Sequence, residues 1–233
     1  MSRIYLDFSG RMAAVFLTLI LLGAAAIFAQ QDAAGGRNQP GRFDFYVLAL
    51  SWSPSYCSAL QEHGTERARP PQCGGRPFSF VVHGLWPQYE RGYPSDCQRP
   101  APRIDRALVD SMLDLMPSPR LVYHEWNRHG TCSGLGAPAY FDAVRKARAA
   151  VKVPPKFLTL ARPMTVTPGA VEDAFLKANP GLKPTDMAVA CDKTRLAEVR
   201  ICLTKDFSFR ECAEVVRRAC RRDKLEMPAM RGG

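Results

Sequence analysis

The chain has 233 residues, 46% of them apolar, and an excess of ten positive charges, enough for one domain that buries its own core. The charge favours a polyanionic partner such as nucleic acid, a heparin-like glycan or a membrane surface, without choosing among them. The chain lacks an internal repeat, a Gly-rich phosphate loop and a Cys-x-x-Cys pair, which removes repeat folds, the commonest nucleotide-binding folds and paired-cysteine zinc or redox motifs.

Arg3 and Arg11 precede an apolar run of 18 residues from Met12 to Ala29, followed by the polar "QQDAAGGRNQPG". This is the layout of a secretory signal peptide, with an uncleaved membrane anchor as the competing reading. Cleavage near Ala29 divides the chain into a leader (1–29), a flexible segment (30–42) and a single domain (43–233). It predicts a secreted or periplasmic protein with no stable membrane association. The eight cysteines behind such a leader point to disulfides. One plausible set is Cys57–Cys73, Cys97–Cys132 and Cys202–Cys212 nested inside Cys191–Cys220, among about 105 possible connectivities.

"RFDFYVLALSW" (Arg42 to Trp52) alternates and reads as a strand broken at Pro54, and "FSFVVHGLW" (Phe78 to Trp86) repeats the pattern. Between them lies a Pro/Gly-rich loop carrying His63, which reads as exposed and idle. Apolar residues at 104, 108, 112 and 115 predict a helix over Ile104 to Met116, with Asp105, Asp110 and Asp114 on its solvated face. Further helices are expected over Pro119 to His129, Pro138 to Val153 and Thr167 to Gly181, the last capped by Thr167. Met187 to Lys193 and Ala197 to Asp206 read as paired strands. The arginine-rich stretch Phe209 to Lys224 reads as a solvated surface pinned by cysteines, with contact to phosphate as the competing reading. Segregated strands and helices predict an α+β fold with a central antiparallel sheet.

Three of the four histidines fall in two aromatic segments, "HGLWPQY" from His83 and "HEWNRHGTC" from His124. The second lies one residue away from the zinc signature H-E-x-x-H. His124 and His129 are five apart, however, which turns them roughly 140° from each other on a helix of about 3.6 residues per turn. They cannot easily share one ion, and no metal and no cofactor are expected. The pairs at i,i+4 are Glu125 with His129 and His124 with Arg128, two neighbouring rows better suited to an anion.

The two segments, in this order, resemble the active-site segments of the ribonuclease T2 family of secreted transferase-type endoribonucleases. "LALSWSPSYC" (Leu48 to Cys57) resembles that family's N-terminal segment, and the likeness runs from about Phe43 to Phe207. It implies cleavage of single-stranded RNA through a 2′,3′-cyclic phosphate, with His129 as general base and His83 as general acid. Glu125 and Arg128 are implied to support the transition state, and His124 to bind phosphate. Trp86 matches a base-contacting tryptophan. Arg128 departs from the lysine usual at its position, which keeps the charge and changes its shape.

The residues support this chemistry independently. Metal-free cleavage needs a base, an acid and a cation at phosphorus, and two imidazoles in opposite protonation states supply the first two. Glu125, one turn before His129, is placed to raise that imidazole's basicity. Trp86 and Tyr89 offer stacking surfaces, Gln88 and Tyr93 further contacts to a base edge, and Trp126 reads as core. The rival readings are a zinc hydrolase and an inactive RNA- or glycan-binding homologue. A monomer is favoured.

Overall fold

A computed structural model of the chain describes residues 36, 38–62, 70–74 and 76–230. The proposed leader and His63 lie outside the described residues. The alternating segments form an antiparallel sheet of β1 (Phe45–Trp52), β2 (Phe80–Gln88), β4 (Met187–Cys191) and β5 (Leu196–Leu203), in the order β2-β1-β5-β4. A two-stranded sheet pairs β3 (Met164–Val166) with β6 (Leu225–Met227). Among the described residues six α-helices accompany these strands: α1 (Ser53–Glu62), α2 (Arg106–Ser111), α3 (Pro119–Arg128), α4 (Ala137–Ala150), α5 (Pro168–Ala178) and α6 (Ala213–Arg217). The architecture is the expected α+β fold around an antiparallel sheet. Among the described residues no helix is long and apolar enough to cross a membrane.

Period-two alternation gives the main sheet two different faces. Tyr46, Leu48, Leu50 and Trp52 of β1 join Val82 and Leu85 of β2 and Val199, Ile201 and Leu203 of β5 in the main core. Val122 and Trp126 of α3 and Tyr140, Phe141 and Val144 of α4 close that core. Trp126 is core as expected, 2% exposed, and its indole donates to the Pro102 carbonyl at 2.7 Å. Truncating such a side chain to alanine costs about 3–5 kcal/mol. The opposite face carries only a small apolar cluster, Phe45, Val47, Cys202 and Cys212, with Trp86, Val215 and Val216 against it. That thin cover leaves room for polar side chains, and the candidate site lies there.

The helices depart from the sequence expectation at three places, one of them the short α6 inside the stretch read as solvated surface. "SPSYCSALQE" is helical, because Pro54 stands in the first turn, where its missing N–H breaks no intrahelical bond. The 104–116 stripe forms only a short α2 followed by turns, and Asp105 is its N-cap, accepting from the Leu108 amide at 2.7 Å. Asp110 pairs with Arg106 and Asp114 with Arg145, each at 2.8 Å. Thr167 caps α5 as expected, accepting from the Ala170 amide at 3.0 Å.

All eight cysteines are bonded, as Cys57–Cys73, Cys97–Cys132, Cys191–Cys220 and Cys202–Cys212. The second bridge ties the segment after β2 to the end of the His129 motif. Of the 30–42 segment, Gly41 donates its amide to the Cys132 carbonyl at 2.9 Å, and Asn38 Oδ1 accepts from the Ser95 amide at 3.2 Å.

Candidate active site

His83 is placed by an irregularity in the sheet. Ala49 of β1 faces Gly84 of β2, whereas Leu50 faces Val82, so His83 is the extra residue of a β-bulge. A bulge re-aims a side chain by leaving one residue unpaired and bending the strand locally. Val82 and Leu85 remain in the core while His83 and Trp86 both project from the sparsely covered face. Pro87 is tolerated on the same strand because β2 is a sheet edge.

Helix α3 supplies the second half of the site. Its Ser118 cap and Pro119 define its start, and it stops at His129, the C-cap. The two expected i,i+4 rows are present and differ in depth: Glu125 and His129 are buried, 1% and 9% exposed, whereas His124 is exposed and Arg128 half-buried. Glu125 reaches β2. Its Oε2 accepts from the Trp86 indole at 2.8 Å, and its Oε1 lies 3.6 Å from His83 Nε2 and has no hydrogen-bond partner. Gly84 makes this approach possible, since a Cβ there would overlap the Glu125 carboxylate and the Trp86 indole nitrogen. The expected support of His129 by Glu125 is therefore not what the fold builds: the carboxylate turns across to His83. The buried Nδ1 of His129 likewise has no hydrogen-bond partner.

Trp86 stands between the two imidazoles, with ring centroids 5.2 Å from His83 and 5.5 Å from His129. Its N–H is committed to Glu125, and the Arg200 guanidinium lies over its ring at 5.4 Å. On either side the surface opens into a cleft. One, of about 280 Å³, is lined by His129, Arg128, Trp86, Tyr89, Tyr93 and Arg200. The other, of about 440 Å³, is lined by His83, His124, Arg120, Tyr56 and Glu198. His124 and His129 thus face different clefts, as their spacing implied. Arg128 donates to Asp96 at 3.0 Å, and the Asp96 amide donates back to the Arg128 carbonyl at 2.8 Å. Among the described residues no three His, Cys, Asp or Glu side chains are grouped to hold a metal ion.

Two residues of this site escaped sequence reasoning. Glu198 and Arg200 lie on β5, opposite Ser51 and Ala49 of β1, on the same face as His83. Glu198 Oε1 lies 2.5 Å from His83 Nδ1 and accepts from Ser51 Oγ at 3.2 Å. Its Oε2 accepts from Arg200 Nε at 3.0 Å. A signal was present: Glu198 and Arg200 alternate with Val199, Ile201 and Leu203, so a strand with one apolar face presents two charges on the other.

These surroundings drive the titrations apart. Burial pushes His129 down to about 3, assisted by the nearby charges of Arg128, His124 and His83. Burial also depresses His83, but the hydrogen bond and charge of Glu198, with the charge of Glu125, outweigh it, and His83 ends above the ordinary imidazole value. Burial raises Glu125 to about 7. Burial raises Glu198 too, yet His83 and Arg200 prevail and hold it at about 2. Burial and the charges of His83 and Arg128 lower His124.

A family model described as the ribonuclease T2 family matches residues 43–212. A ribonuclease of Aeromonas hydrophila is 44% identical over 117 residues, covering 50% of this chain and 50% of that protein. A probable ribonuclease of Haemophilus influenzae is 34% identical over 128 residues, covering 51% of this chain and 47% of that one. The chain spans about half the length of these curated relatives. The crystal structure of RNase NT in complex with 5′-AMP superposes with a TM-score of 0.54 at 24% identity, covering 80% of this chain and 98% of that one, a likeness of fold.

Proposed function

This chain belongs to the ribonuclease T2 family, and from that premise we propose that it is an endoribonuclease that cleaves single-stranded RNA through a 2′,3′-cyclic phosphate, using two histidines. The observation that carries the reading is the pair of imidazoles on either side of Trp86, displaced in opposite directions from their ordinary pKa. Groups whose environments separate them in this way divide the work of acid and base. His129, neutral down to about pH 3, takes the proton of the 2′-hydroxyl as its oxygen attacks phosphorus. His83, kept protonated by Glu198, gives its Nε2 proton to the departing 5′-oxygen as the P–O5′ bond breaks.

The other residues take their roles from position. Arg128, beside His129 in the smaller cleft and held by Asp96, meets charge that grows on the non-bridging oxygens. His124 lines the His83 cleft and contacts a neighbouring phosphate. Glu125, raised by burial to about 7 against the pull of His83, supports the transition state beside His83. Tyr89 and the half-exposed Tyr93 offer stacking faces in the smaller cleft. Trp86 contributes its remaining edge to base binding and holds the two halves of the site together. RNase NT, which shares the fold, holds 5′-AMP in its crystal structure, and this supports a nucleotide as the ligand. Four disulfides support an exported location, periplasmic or extracellular.

Homopolymeric RNAs and matched DNA, with product analysis, test the proposal. RNA should yield 2′,3′-cyclic phosphate ends, and DNA should not be cut because it lacks the nucleophile. Excess EDTA should leave the rate unchanged. Cleavage of DNA, or loss of activity in EDTA that zinc restores, would overturn the mechanism.

A further inference from the structure

His83 has a second carboxylate partner, and it lies far away in sequence. The His83 Nδ1···Glu198 Oε1 contact of 2.5 Å joins residues 115 positions apart, on strands that flank β1. Glu198 is itself held on both oxygens, by Ser51 Oγ at 3.2 Å and by Arg200 Nε at 3.0 Å. Arg200 in turn lies over Trp86. An ionised carboxylate accepts only, so the hydrogen on this short bond belongs to the imidazole Nδ1. With Nδ1 so engaged, Nε2 is the nitrogen left for chemistry, on the side of Glu125.

We propose that Glu198 is a positioning residue for His83: it fixes the ring orientation and the Nδ1–H tautomer, and keeps the imidazole charged until Nε2 delivers its proton. This rests on the reading of His83 as the proton donor. During the step the P–O5′ bond breaks and the Nε2 proton moves to O5′. The ring is left neutral with Nδ1–H still bonded to Glu198, which remains ionised. A carboxylate that orients an imidazole in this way need not accept the proton itself.

The charged groups facing His83 are Glu198 and Arg200 from β5 and Glu125, His124 and His129 from α3 and its end. Arg120 and Asp192 also line its cleft. Of these, Glu198 alone is hydrogen-bonded to the ring. Removing its charge and its hydrogen bond leaves Glu125 as the one carboxylate acting against Arg200 and burial, so the sign of the effect is fixed: His83 loses its proton at lower pH.

The test uses Glu198→Gln, which keeps size and removes charge. The alkaline limb of the kcat/KM profile should move to lower pH. At neutral pH kcat should fall about ten- to a hundredfold, part of the 10²–10⁴ that acid–base catalysis supplies, with KM moving less than kcat. In a His83→Ala background the same change should cost almost nothing further, since the residues act as a unit. Glu198→Asp, which keeps the charge, should recover part of the shift. A limb that stays in place in Glu198→Gln, or a full additional loss in the His83→Ala background, would overturn the assignment. Nitrogen NMR on the unmodified protein needs no variant to fold: neutral His83 should carry its proton on Nδ1, and finding it on Nε2 would equally overturn the proposal. Should the protein cut no RNA at all, the proposed function falls, while the His83 titration and tautomer still read the coupling to Glu198.

Discussion

Gly84 leaves open the space that the Glu125 carboxylate occupies. The absence of one side chain on β2 lets a buried acid of α3 reach both the Trp86 indole and His83, so the sheet and the helix meet at the candidate site.

Gly84→Ala is therefore expected to force Glu125 and Trp86 aside. Overpacking of this kind costs about 1–3 kcal/mol, and the displaced carboxylate should lower kcat by at least about tenfold, within the range of lost transition-state contacts. Thermal unfolding alongside steady-state kinetics checks both. A variant with wild-type stability and turnover would mean that the contact is dispensable.

The kcat/KM profile should be a broad dome. The proposed roles require His129 neutral and His83 protonated, so the acid limb is expected near 3, where burial holds His129, and the alkaline limb above the ordinary imidazole value of 6.5. Rates measured from about pH 3 to 9 in constant ionic strength give both limbs. His83→Ala and His129→Ala should each leave less than about a tenth of the activity.

Glu125 should trade stability for activity. Its folded pKa is about 7 against an unfolded value of 4.5. The folded form holds the proton more tightly, so stability is lost as pH rises from about 4.5 to 7. Glu125→Gln removes that penalty and should raise the melting temperature at about pH 8 relative to the wild type. The gain should be on the order of 1–3 kcal/mol, while kcat falls. The advantage should vanish at about pH 4, and calorimetry at the two pH values decides it.

Arg128→Lys should keep kcat within about tenfold, because the charge remains. Arg128→Ala should lower kcat by roughly 10²–10³, the scale of one lost transition-state donor, with KM moving less. A rise in KM with kcat unchanged would make Arg128 a ground-state contact. Asp96 holds the guanidinium at 3.0 Å, so Asp96→Asn should weaken kcat in the same direction and by less.

Local chemistry makes much of the molecule legible in the sequence alone. Alternation in "FYVLALSW" and "VRICL" marks strands, Pro119 and Thr167 mark helix starts, and five ionisable site residues stand in two short segments where adjacency itself betrays them. Spacing also separates the His124–Arg128 row from the Glu125–His129 row, because helical periodicity is a local property. What escaped depends on position across the chain. The bulge at His83 is a mismatch between two strands and exists only once β1 and β2 are paired. The direction of Glu125 depends on a missing Cβ at Gly84, on an element remote in sequence, and on how α3 packs against β2. Glu198 and Arg200 look like ordinary surface charges until the register of β5 with β1 sets them beside His83 and Trp86. The amino-acid order thus determined the candidate reacting groups and the elements that carry them. Tertiary packing decided their protonation, since pKa follows from burial and from charges brought together by strands that meet only in the fold.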